Sequence, residues 1–206
     1  MISYLALGDS YTIGEGVALF DSFPYQLCGL LRKEKILCNA PEILAKTGWT
    51  TDELQAQINK HSFNPPYSFV TLLIGVNNQY RGRTAENFEP EFQSLLQQAI
   101  KFAGNRKERV FVLSIPDWGQ TPFAKDRDRN KISLEIDAYN EVIRNNCNRK
   151  DITFIDITTF PREKNNASFL VTSDELHPSS QEYSRWAGLI FNHIRQKIKN
   201  NEIKEF

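Results

Sequence analysis

The chain has 206 residues, 40% of them hydrophobic and 24% charged, with 25 basic side chains against 25 acidic ones. That length suits one domain with its own core, and we read residues 1–206 as a single unit. The zero net charge excludes the global field that draws a protein to nucleic acid or to an anionic membrane. Cys28, Cys38 and Cys147 are the only cysteines, and they lack metal-ligand spacing. They read as reduced core residues, which suits a reducing compartment. No apolar run approaches membrane-spanning length. The first apolar run has no basic region before it and ends at Asp9, unlike a secretory signal. A cytoplasmic location is expected.

Residues 2–7 predict the first strand, an apolar run stopped by Gly8-Asp9-Ser10. Asp21-Ser22 predict the cap of a helix reaching about Lys35, with Pro24 in its first turn. Ile36–Cys38 is a short strand candidate. The stretch 39–46 is ambiguous, because Pro41 interrupts any ladder there. Thr50 and Glu53 have capping-box spacing and open a helix whose apolar stripe is only Leu54 and Ile58.

Ser68–Ile74 (SFVTLLI) is the strongest strand, apolar and β-branched up to Gly75-Val76-Asn77-Asn78. Thr84–Ala103 is helical, with Phe88, Phe92, Leu95, Leu96, Ala99 and Phe102 on one face. Pro90 predicts that the regular helix starts near Glu89. Arg109–Ile115 is a strand, and Pro116–Asn130 a long loop of the kind that carries function. Lys131–Asn148 is a helix and Ile152–Ile157 a fifth strand. Residues 158–178 are irregular. Ser179 and Glu182 have capping-box spacing before a last amphipathic helix. Strands alternating with helices predict a doubly wound α/β domain with a mostly parallel sheet.

In such sheets ligands bind outside the carboxyl ends of the strands. Ser10 follows the first strand, Gly48 precedes the capped helix, Asn77 follows the strongest strand, and Asp174 and His177 follow the last. A Gly-Asp-Ser triplet alone is a turn. With a histidine and a carboxylate brought to the same edge, the serine becomes a nucleophile. The backbone N–H groups of Ser10 and Gly48 and the amide of Asn77 can stabilise a developing oxyanion. Gly14 and Gly16 lack P-loop spacing, and no phosphate-binding lysine follows them. No metal-ligand cluster and no cofactor motif is present.

Gly8-Asp9-Ser10, Gly48, Gly75-Val76-Asn77-Asn78 and Asp174-Glu175-Leu176-His177 together resemble the four blocks of the SGNH (GDSL) hydrolases, in family order, between residues 4 and 178. The resemblance implies a flavodoxin-like three-layer α/β/α fold with a five-stranded parallel sheet in the order 2-1-3-4-5. It implies hydrolysis of a small carboxylic ester through an acyl-enzyme. Ser10 would be the nucleophile, His177 the general base and Asp174 its orienting acid. Ser10, Gly48 and Asn77 would form the oxyanion hole. The third block of the family usually ends in Asp, where this chain has Asn78. That change is expected to affect loop rigidity.

The expected partner is a small-molecule ester, with a soluble ester or lysophospholipid favoured. A carbohydrate acetyl ester, a thioester and a non-enzymatic ligand-binding role on the same fold are the alternatives. Trp49, Tyr80, Trp118, Phe123, Phe160 and Phe169 are candidates for the wall of an acyl pocket. Arg81, Arg83, Arg127 and Arg129 are candidates for meeting an anionic head group.

Overall fold

The computed structural model describes residues 1–163 and 170–203. Five strands form one parallel sheet: β1 (Tyr4–Asp9), β2 (Glu42–Lys46), β3 (Phe69–Leu73), β4 (Val110–Leu113) and β5 (Thr153–Ile155), in the order β2-β1-β3-β4-β5. The expected order is therefore the observed one. Strands β1, β3 and β4 are buried at every position, as strands covered on both faces must be. Helices α2 (Phe23–Lys33) and α8 (Ser180–Lys199) pack on each other, while α5 (Ala85–Phe102) packs on both α3 (Thr51–Ile58) and α6 (Arg129–Lys150). Sheet and helices share a core that includes Phe69, Phe88, Phe92, Phe111 and Trp186.

Several boundaries differ from the sequence reading. The second strand is Glu42–Lys46, not Ile36–Cys38. Cys38 makes only an isolated bridge to Ile2. Pro41 stands just before the strand and so takes no donor from its ladder. Helix α5 starts at Ala85, five residues before Pro90. Phe88 and Phe92, both fully buried, flank the proline. Burying them contributes about 1.5–3 kcal/mol each, which offsets the roughly 3 kcal/mol an interior proline costs.

The loop after β4 holds two short 3₁₀ turns, Trp118–Gln120 and Pro122–Ala124, and α6 begins at Arg129. A short helix, α7 (Thr159–Glu163), stands in the stretch expected to be irregular. The expected box at the start of α8 is half formed. The Ser179 hydroxyl accepts from the Glu182 N–H at 3.4 Å, but the Glu182 carboxylate turns inward to Arg185 and to the Trp186 indole N–H.

Candidate active site

Strand β1 delivers Ser10 to the carboxyl edge of the sheet. The chain turns at once into a single helical turn, α1 (Ser10–Ile13). Asp9 caps it by accepting from the Tyr11 N–H at 3.0 Å, and Gly14 closes it with φ 79°. Ser10 is the first residue of that turn, where a backbone N–H has no carbonyl within the helix to serve. Gly8 is required for the turn to pack. A Cβ there would stand 2.1 Å from Thr12 Oγ1 and 2.5 Å from the Leu73 carbonyl oxygen. Only hydrogen fits between β1, α1 and β3.

The loop before α8 brings the other partners. His177 Nε2 lies 2.9 Å from Ser10 Oγ, and Asp174 Oδ2 lies 2.6 Å from His177 Nδ1. Ser10 and His177 are buried, at 4% and 7% exposure. The other carboxylate oxygen of Asp174, Oδ1, accepts from Thr172 Oγ1, Leu176 N and His177 N at 2.8, 2.9 and 2.9 Å. Partial burial raises the Asp174 carboxyl, but the hydrogen bonds from the His177 ring, the two N–H groups and Thr172 outweigh it and hold it at about 2. Asp174 is ionised throughout the neutral range. The Tyr11 ring lies against the imidazole, with centroids 5.1 Å apart.

Gly48 and Asn77 reach the same place from two other loops. Gly48 has φ 81°, a backbone state that favours glycine, and its carbonyl accepts from Arg81 Nη2 at 2.7 Å. Asn77 stands on α4 (Val76–Tyr80), a short helix at the end of β3. Its amide donates to the Trp49 carbonyl at 3.1 Å and to Asp9 Oδ2 at 3.4 Å. Asp9 is fully buried. Burial pushes its carboxyl up to about 7, against the lowering effect of donors from Tyr11 and Asn77.

Ser10, Gly48, Asn77 and His177 line one half-open cleft of about 210 Å³. Its walls are largely apolar: Val76, Tyr80, Trp118, Phe123 and Leu176. Of the candidate aromatics, Tyr80, Trp118 and Phe123 stand in this wall. Trp49 contributes its carbonyl to Asn77. Phe160 lies under the Arg185 guanidinium, 4.6 Å away. Phe169 lies outside the described residues. Tyr11, Thr47, Val76 and Leu176 also line the cleft, beyond the candidates named from the sequence. Their adjacency in the chain to Ser10, Gly48, Asn77 and His177 is the signal that points to them.

Most of the candidate cations are committed elsewhere. Arg81 pairs with Glu53 at 3.2 Å, and Arg83 with Asp52 at 2.6 Å. Arg129 donates to the carbonyls of Gly119 and Gln120. These three arginines hold loops together, which weakens the reading of an anionic head group. Asn78, the departure from the family pattern, is buried. Its Oδ1 accepts from the Thr51 N–H at 3.1 Å, and its Nδ2 donates to Thr51 Oγ1 at 2.6 Å. The Thr51 hydroxyl in turn donates to Glu91. Among the described residues no group of three or more His, Cys, Asp or Glu side chains is placed to hold a metal ion.

Residues 6–185 match the model of the GDSL-like lipase/acylhydrolase family. The chain belongs to that family. It is a carboxylic ester hydrolase of the GDSL type. Solved structures agree on the fold. A lipase/acylhydrolase from Enterococcus faecalis is 21% identical, with TM-score 0.70, over 96% of this chain and 97% of that one. The acetyl xylan esterase AlAXEase is 18% identical, with TM-score 0.74, over 94% and 100%. The psychrotrophic esterase EstA from Pseudoalteromonas sp., solved inhibited by monoethylphosphonate, is 14% identical, with TM-score 0.68, over 97% and 100%. No curated protein sequence matches the chain.

Proposed function

We propose that this hydrolase cleaves short-chain carboxylic esters through an acyl-enzyme on Ser10. The observation that carries the reading is the chain Asp174–His177–Ser10, at 2.6 and 2.9 Å, opening onto an apolar cleft. His177 Nε2 takes the Ser10 proton as Oγ attacks the ester carbonyl, then returns it to the leaving alcohol. Asp174 holds the Nδ1–H tautomer and favours the imidazolium that forms. The N–H groups of Ser10 and Gly48 and the Asn77 amide meet the oxyanion. Of the two contacts Asn77 makes at rest, the one to Asp9 is the longer, so it is the one the oxyanion replaces. Water then repeats the sequence on the acyl-enzyme and releases the acid.

The cleft size supports the chain-length class. An apolar cavity of about 150 Å³ holds a six-carbon ring, so 210 Å³ suits an acyl group of about that size. A carbohydrate acetyl ester is the second reading. Tyr80 and Phe123, 50% and 39% exposed, give the cleft an aromatic rim against which a sugar ring can lie. Among the described residues no helix is long and apolar enough to cross a membrane.

A fluorophosphonate probe, followed by a screen of p-nitrophenyl esters and acetylated sugars, tests the reading. Labelling of the native protein and not of Ser10→Ala, with turnover of at least one ester, is the expected outcome. A native protein that neither labels nor turns over any ester overturns it.

A further inference from the structure

A second half-open pocket, of about 40 Å³, adjoins the catalytic cleft. Tyr11, Trp118 and Leu176 line both spaces, so they form the wall between them. The second pocket is otherwise bounded mainly by apolar groups such as Ile157, Leu170 and Trp186. Its two carboxylates are already satisfied: Asp117 by Arg162 and Ser133, Glu182 by Arg185 and the Trp186 indole. The space therefore asks for alkyl carbon. On the same scale of about 150 Å³ for six carbons, it takes about one or two more carbons than the cleft alone.

Trp118 is the part of that wall with a dedicated support. Its indole N–H donates to Gln79 Oε1 at 2.7 Å, and Gln79 Nε2 donates to Glu135 Oε2 at 2.7 Å. Gln79 is buried and stands two residues after Asn77, on the same short helix. At the backbone, Thr121 Oγ1 donates to the Trp118 carbonyl at 2.7 Å, and Asp117 caps the turn through the Gly119 N–H. On its cleft side Trp118 meets Tyr80 and Phe123 edge-on, at 5.3 and 6.1 Å. A large ring fixed at both ends between two apolar spaces is a stop.

We propose that Trp118 sets the acyl-chain limit of this enzyme by closing the cleft off from the adjoining pocket, and that Gln79 is the positioning residue that holds it shut. The proposal rests on the ester-hydrolase reading for its meaning, though not for all of its evidence. Each methylene buried in the cleft raises kcat/KM about fourfold, and the rise stops where the chain meets the indole. With the ring removed, the rise continues into the adjoining pocket.

The test compares native protein, Trp118→Phe, Trp118→Ala and Gln79→Met on p-nitrophenyl esters of 2 to 12 carbons. A parallel arm measures thermal stabilisation of the same four proteins by straight-chain alkanols of 4 to 10 carbons, which needs no turnover. In native protein both profiles break at about six carbons. In Trp118→Ala the break moves out by about two carbons, and the ten-carbon to four-carbon ratio of kcat/KM rises about tenfold. Trp118→Phe, which keeps an aromatic core contact, and Gln79→Met move it in the same direction by less. A break that stays in place in every folded variant overturns the proposal, as does a uniform loss at all chain lengths. Alkanol profiles that shift while no protein hydrolyses any ester support the partition and overturn the ester-hydrolase reading instead.

Discussion

Replacing Asp9 by asparagine should stabilise the protein at pH 8 and slow it as an enzyme. Asp9 is fully buried, and burial raises its carboxyl from 3.8 to about 7. Because the folded-state value lies above the unfolded one, native Asp9 keeps its proton where the unfolded chain has released it. Stability is therefore lost as pH rises from about 4 to about 7. Each tenfold change in proton affinity is worth about 1.4 kcal/mol, so the ionised side chain costs about 4 kcal/mol by pH 8. Between pH 5 and pH 8 the loss is about 2–3 kcal/mol. Asparagine does not titrate and escapes it. Its amide oxygen must face the Tyr11 N–H that Asp9 Oδ1 now serves, which turns its nitrogen toward the Asn77 amide. That donor–donor conflict costs about 1–3 kcal/mol. The removed ionisation cost is the larger effect at pH 8, and the two nearly cancel at pH 5. Urea unfolding of both proteins at pH 5, 6, 7 and 8 reads the difference, and every other titrating group cancels. A difference constant to within about 0.5 kcal/mol across that range would refute the reasoning. In the same variant kcat should fall about tenfold, since the side-chain nitrogen at position 9 now opposes the Asn77 amide and only the Trp49 carbonyl holds it.

Asn77→Ala should lower kcat by about a hundredfold or more with KM nearly unchanged, because the amide meets charge only in the transition state; a rise in KM alone would show that it binds the ground state. Asp174→Asn should cut kcat by roughly 10³–10⁴ at pH 7 with the fold retained. Three donors on Oδ1 pin the amide oxygen there, so the nitrogen faces His177 Nδ1 and enforces the wrong tautomer; near-native activity would reduce the triad to a Ser10–His177 dyad. Asn78→Asp should destabilise by about 1–3 kcal/mol at pH 7, and adding Glu91→Gln should recover most of it. Equal urea midpoints for native and Asn78→Asp proteins would show that Glu91 does not oppose an acid at position 78.

The central strands were legible because burial on both faces leaves a continuous apolar run, as in SFVTLLI. Strand β2 was not. It is an edge strand, half-buried along Glu42–Lys46, so its sequence EILAK carries neither a continuous apolar run nor a clean alternation. Helices α1 and α4 span four and five residues, too short for a helical period to register. They exist because tertiary contacts and local caps hold them: Asp9 and Gly14 around α1, and packing on α6 for α4. Ser10, Gly48, Asn77, Asp174 and His177 were legible for a different reason. Ser10, Gly48 and Asn77 follow strand ends, where topology gathers loops that are far apart in the chain, and Asp174 and His177, in the loop before α8, complete the block order that resembles the SGNH hydrolases.

What the sequence could not carry is which polar partners meet once those loops are gathered, and Asn78 shows why this matters. An aspartate there would accept from the Thr51 N–H at the start of α3, but its carboxylate would have no proton to donate. The amide of Asn78 does this and also donates to Thr51 Oγ1. The hydroxyl is then free to pass its own proton to Glu91, which lies on α5, thirteen residues from Asn78. The Glu91 carboxylate also accepts from the Asn78 amide at 3.5 Å and lies 3.6 Å from the Arg83 guanidinium. Two acids sharing Thr51 would have one hydroxyl proton between them and would repel each other. Helix α3 follows directly on Gly48-Trp49-Thr50, so whatever fixes its first N–H groups also fixes the Gly48 backbone and the Trp49 carbonyl that Asn77 leans on. Asn78 thus holds the start of α3 through both ends of its amide, and the site keeps that anchor without an acid at position 78.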